Sequence, residues 1–93
     1  MINMHQDIKE LERIIKAFAN RRRLAIVRYL IRTEEATVGE IAEEISLSFK
    51  ATSKHLGILL AADILEKEQR SLEMWYRLAL SQKPAVRVLV KLL

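Results

Sequence analysis

No cysteine occurs in the chain, so disulfides and thiolate metal ligands are both excluded, and stability has to come from packing. One proline and two glycines are the only strong breakers, which disfavours a turn-rich sheet fold and favours long helices. No internal repeat, low-complexity tract or Gly/Pro/Ser-rich linker divides the chain. No apolar run approaches the roughly 20 residues of a membrane span, and residues 1–10 carry no apolar stretch suited to a signal peptide. A cytoplasmic protein with no membrane partner is expected. Enzyme chemistry has no footing either: the sequence lacks a phosphate-cradling glycine loop and a nucleophile that can be placed beside a base.

What is present is 93 residues, 51% hydrophobic and 30% charged, an ordinary balance for one folded domain with a single core. The net charge of +4 makes a polyanion a plausible partner, provided the cations are gathered on one face.

Asn3 and Gln6 have capping-box spacing, and Ile8, Leu11, Ile14, Ile15 and Phe18 follow on one face, predicting a helix over residues 4–19. Asn20 caps a second helix with Leu24, Val27, Leu30 and Ile31 as its stripe, closed by a loop at Thr33, Glu34 and Glu35. Thr37 and Glu40 form a second capping box ahead of Val38, Ile41, Ala42 and Ile45. After a turn at Ser46 and Leu47, Ser48 caps a fourth helix over residues 48–62, and Asp63 stops it in a left-handed conformation. Alternating apolar residues at 72, 74, 76, 78 and 80 predict a β-hairpin, with the polar stretch Glu66 to Ser71 as its charged tip. Pro84 opens a last helix over about residues 82–93. The fold class expected is mostly α with a small β-hairpin: a winged helix-turn-helix in the order four helices, two strands, one helix.

Helix four has the two faces that a groove-reading helix needs. Thr52, Leu56 and Leu59 line the apolar side, whereas Phe49, Lys50, Ser53, Lys54 and Gly57 group on the other. Lys50, Ser53 and Lys54 suit base edges or phosphates, Phe49 suits a thymine methyl, and Gly57 removes bulk near a DNA backbone. His55 borders the apolar side and has two uses open to it, local bonding or DNA contact. The DNA-contact set expected from the sequence is Ser48, Phe49, Lys50, Thr52, Ser53, Lys54 and His55, with Lys67, Gln69 and Arg70 from the hairpin. A solvated face remains the alternative for the lysines and for the hairpin tip.

Arg21, Arg22 and Arg23 lie in the first turn of helix two, where the helix dipole disfavours cations. Pairing with Glu34, Glu35, Glu43 or Glu44 is the favoured explanation, phosphate contact the other. The last helix is apolar nearly all round apart from Arg87 and Lys91. A homodimer is therefore expected, with Ile8, Leu11 and Ile15 of helix one and Val86, Leu89, Val90 and Leu93 of the last helix at the interface.

Over Phe18 to Leu80 the chain resembles the ArsR family of winged-helix repressors. The resemblance is carried by Lys16 to Val27, by Ile41 to Ser48, by Ser53-Lys54-His55-Leu56 in the recognition helix, and by Trp75-Tyr76-Arg77-Leu78 in the strand returning from the wing. It implies a dimer that occludes a palindromic operator in double-stranded DNA, with Phe49, Lys50, Ser53 and Lys54 at the base-reading positions. Where metal-sensing members carry two cysteines, this chain has Thr37 and Gly39; its last helix has no His or carboxylate. No metal and no cofactor are expected, and the residues specify no effector. The usual wing-tip glycine is missing too. The competing function is a winged-helix module that docks proteins without specific DNA binding.

Overall fold

The computed structural model describes residues 8–93, so the cap expected at Asn3 and Gln6 lies outside the described residues. Helix α1 (Ile8–Phe18) gives way to α2 (Arg21–Thr33) at Asn20, whose Oδ1 accepts from the backbone N–H groups of Arg22 and Arg23 at 2.9 and 3.1 Å. Two orphan donors of α2 are satisfied by one side chain. The short strand β1 (Ala36–Thr37) then leads into α3 (Val38–Ile45) through the complete capping box. The Glu40 amide donates to Thr37 Oγ1 at 3.3 Å, and the Thr37 amide to Glu40 Oε1 at 2.9 Å. Ser46 ends α3 in the left-handed conformation at φ 55°, and the Ser48 hydroxyl accepts from the Ala51 amide to start α4 (Phe49–Ala61). Asp63 turns the chain out of α4 with φ 58°.

Two six-residue strands form the hairpin, β2 (Leu65–Arg70) and β3 (Glu73–Leu78). The expected charged tip is therefore corrected. Glu66 to Arg70 lie inside β2, paired from Glu66↔Arg77 to Arg70↔Glu73, and the turn is only Ser71 and Leu72. Polar side chains on both strands hold each other across the ladder, so polarity marked a solvated strand there and not a loop. Ser71 takes φ 56° in place of a glycine. β1 adds a third strand on the far side of β3, with Ala36↔Tyr76 and Thr37↔Trp75.

Helix α5 (Pro84–Val90) starts on its proline, shorter than the sequence pattern suggested. Lys83, just before it, donates to Glu10 of α1 and, at 3.1 Å, to Asp63 at the end of α4. That side chain fixes α5 beside α1. The core gathers Ile14 and Phe18 of α1, Ile26 and Leu30 of α2, Ile41 of α3, Leu56 and Leu59 of α4, and Tyr76 of the sheet. Every helix contributes, since Val86 of α5 is fully buried in the same cluster.

Candidate nucleic-acid interface

Helix α4 is pressed into the core by one narrow face. Thr52, Leu56 and Leu59 are each 0% exposed, and Lys50, Lys54 and Gly57 lie exposed on the opposite side, with Ser53 and His55 half-buried along the two flanks. The spacing by three and four residues produces this division directly. Phe49, at the N-terminus of α4, is 63% exposed, an aromatic ring that the core does not claim. Apart from the helix's own backbone and the adjoining residues, nothing lies within 4 Å of where a Cβ on Gly57 would stand. Its glycine is thus not required by packing inside the subunit, although glycine within a helix costs about 1 kcal/mol relative to alanine.

Thr52 is corrected as a DNA contact: fully buried, it faces the core, and its Oγ1 has no hydrogen-bond partner. Ser48 is exposed but its hydroxyl oxygen is committed to the helix cap. His55 is held locally. Arg23 Nη1 donates to its Nδ1 at 3.1 Å, and burial together with the neighbouring Arg23, Arg22 and Lys54 cations lowers its pKa below the ordinary histidine value of 6.5.

The wing separates its candidates onto two faces. Lys67 and Gln69 stand opposite Tyr76 and Met74, on the face turned towards the helices, and both are exposed. Gln69 Nε2 donates to the Ser71 carbonyl at 3.3 Å, across the turn. Arg70 is on the other face and is already occupied. Its guanidinium pairs with Glu35 and Glu68 and lies over the Trp75 ring at 5.1 Å. Arg77 extends the network to Glu66 and Glu68 at 2.7 and 2.9 Å. The carboxylates raise the pKa of both arginines, and hydrogen bonds from those arginines lower that of Glu68.

Of the three arginines at the start of α2, Arg22 and Arg23 find partners other than the expected glutamates. Arg22 Nη1 donates to the Ile45 carbonyl at the end of α3 at 3.2 Å. Arg23 donates to the Ala17 and Lys16 carbonyls at the end of α1, at 2.6 and 3.1 Å. Helix C-termini carry partial negative charge, so these contacts offset the unfavourable position near the positive end of α2. Glu44 instead pairs with Arg32 at 3.5 Å, and Glu35 with Arg70. Among the described residues no group of three or more His, Cys, Asp or Glu side chains is placed to hold a metal ion, and no helix is long and apolar enough to cross a membrane.

Two helices joined by the Ser46–Ser48 turn, with the outer one bared to solvent and a hairpin beside it, define a winged helix-turn-helix. The model of the helix-turn-helix domain family matches residues 18–68, and the chain belongs to that family, in its ArsR-type winged form. Among solved structures it is similar to the transcriptional regulator HlyU from Vibrio vulnificus, with 30% identity, 96% of this chain and 88% of that one covered, and a TM-score of 0.75. It is also similar to the homodimeric winged helix-turn-helix DNA-binding domain Mb0332 from Mycobacterium bovis, a possible ArsR-family regulator, with 28% identity, coverage of 91% and 78%, and a TM-score of 0.79. A third likeness is to the transcriptional repressor BigR from Xylella fastidiosa, with 27% identity, coverage of 96% and 87%, and a TM-score of 0.76. No curated protein sequence gives a match.

Proposed function

We propose that the protein is a cytoplasmic, dimeric transcriptional regulator that binds double-stranded DNA sequence-specifically, sets α4 in the major groove, represses by occluding its site, and carries out no catalytic step. The observation that carries this reading is the outer face of α4. Lys50 and Lys54 are exposed beside a glycine that leaves room for close approach, on the second helix of a helix-turn-helix. Ser53 and Phe49 flank the lysines for contact with base edges and thymine methyls. Exposed Lys67 and Gln69 are the wing residues proposed to reach the backbone beside the groove. Arg70 is assigned to holding the wing.

Dimerisation is supported by an apolar surface that the subunit leaves uncovered. Ile8, Leu11 and Ile15 of α1 are 68%, 43% and 49% exposed, on a helix packed against α5. In α5 and the residues after it, Val88 and Leu92 are exposed, while Leu89, Val90 and Leu93 are half-buried against the core. Val86, expected at the interface from the sequence, is corrected to a core residue because its own subunit buries it completely. A second copy is the occupant proposed for this surface, as the homodimeric relative from Mycobacterium bovis supports. A two-fold dimer sets its recognition helices about 34–36 Å apart, matching successive major grooves of a palindromic site.

The salt dependence of duplex binding tests the reading. Each phosphate neutralised contributes about 0.9 to the slope of log affinity against log salt, so Lys50→Ala/Lys54→Ala lowers the slope by about 2 per subunit. An unchanged slope would remove α4 from the interface.

A further inference from the structure

Arg23 touches three helices at once. It belongs to the first turn of α2, where Asn20 caps its backbone amide. Its Nε and Nη2 donate to Ala17 and Lys16 carbonyls at the end of α1, and its Nη1 donates to His55 Nδ1 on α4. The planar fork of a guanidinium suits this task, since it holds several acceptors at fixed relative angles, which an ammonium does not. Because arginine only donates, His55 has to present a lone pair at Nδ1, which places the ring proton on Nε2. The charged groups acting on the ring are Arg23 and Arg22 from α2 and Lys54 from α4, all cations, and α1 offers the arginine only backbone carbonyls. The pair is therefore built for a neutral imidazole.

Lys54, next to His55, is exposed on the face proposed to meet DNA, and α1 carries the exposed apolar stripe proposed to meet the second subunit. We propose that Arg23 is a positioning residue for DNA recognition, its guanidinium locking the carbonyl end of α1 to His55 so that the dimer-forming helix and the recognition helix keep one relative orientation. This rests on the reading that α4 enters the major groove. Arg23 needs no contact with DNA to fulfil the role, and His55 serves as its acceptor and not as a phosphate ligand.

The test uses the full chain and a palindromic duplex enriched from a random pool by the wild-type protein. Histidine ring nitrogen NMR, which involves no DNA, is expected to show the Nε2–H tautomer for His55 with a pKa below 6.5, and both features are expected to change in Arg23→Lys. Arg23→Lys and His55→Gln are expected to weaken duplex binding about tenfold, the size of one hydrogen bond involving a charged group, with the salt slope unchanged. His55→Asn, whose Oδ1 stands where Nδ1 stood, is expected to stay within about twofold of wild type. Wild-type affinity falls as the pH drops through the His55 pKa, while His55→Asn shows no such fall. Arg23→Lys binding as tightly as wild type overturns the positioning role. So does a wild-type affinity that rises on acidification while that of His55→Asn does not, because a protonated His55 would then be a direct phosphate ligand. A wild-type chain that enriches no duplex overturns the DNA reading itself, whatever the NMR shows.

Discussion

Arg70 and Glu35 form a two-pronged ion pair, with Nη1 and Nη2 donating to Oε1 and Oε2 at 2.8 and 2.7 Å, and so tie the end of strand β2 to the connection between α2 and β1. The Arg70 hydrogen bond holds the Glu35 carboxyl below the usual 4.5. A carboxylate with a depressed folded-state pKa adds stability that is complete above its unfolded value and is lost as the pH falls through its folded value. The wing is therefore expected to stay anchored at pH 4.5 and to detach only as the pH falls further, through the lowered value of Glu35. Trp75, the one tryptophan, lies under the Arg70 guanidinium and reports the event by its fluorescence. Glu35→Gln is expected to shift the emission at neutral pH towards that of the acidified wild type, with only a small loss of stability, as for other half-exposed pairs. Identical emission from both proteins across the range would show that the pair does not anchor the wing.

Thr52 supplies a test that separates a core role from a DNA role. Its hydroxyl is buried and without a partner, so Thr52→Val removes an unsatisfied polar group while preserving shape. The variant is expected to be more stable by about 1 kcal/mol in denaturant titration, because an unmatched buried hydroxyl costs on the order of 1–3 kcal/mol. Duplex affinity is expected to be unchanged. A loss of affinity without a gain in stability would return Thr52 to the interface.

The dimer reading predicts opposite outcomes at two apolar positions of the C-terminal region. Leu92 is 75% exposed and Val86 is 0% exposed. Leu92→Glu is expected to leave the fold intact and to shift sedimentation equilibrium towards monomer, since placing an unpaired charge in an interface is strongly unfavourable. Val86→Ala is expected to lower subunit stability by about 1.5–3 kcal/mol, the worth of a buried valine side chain. If Leu92→Glu and Ile8→Glu both sediment as the wild-type dimer, the apolar surface is not the interface.

The parts of this molecule legible in its sequence are those decided within a few residues. Asn20, Thr37 with Glu40, and Ser48 each satisfy helix donors three residues away or less, so the starts of α2, α3 and α4 follow from spacing alone. Asp63 behaves likewise at the end of α4. Partners far apart in sequence were not legible. Glu35 and Arg70 are separated by 35 positions and Arg23 and His55 by 32, so no periodicity links them. β1 is only two residues long and carries no pattern; its strand character comes from pairing with β3. For the candidate site, helical spacing correctly separated Lys50 and Lys54 from Leu56 and Leu59. It placed Thr52 ambiguously, because threonine's size suits a core and its hydroxyl suits an interface. The arginines do carry a signal: cations in the first turn of a helix need a compensating negative end, and two other helices supply it at Arg22 and Arg23.

Whether the outer face of α4 reads duplex DNA is tested most directly by selection from a pool of random duplexes. Wild type and Lys50→Ala/Lys54→Ala are each carried through enrichment and sequencing at the same salt concentration. The expected result is a palindromic motif with half-sites about one helical turn apart for the wild type, lost or strongly weakened for the double variant. Equal, motif-free recovery by both proteins would contradict the claim and assign the exposed face of α4 to a protein partner.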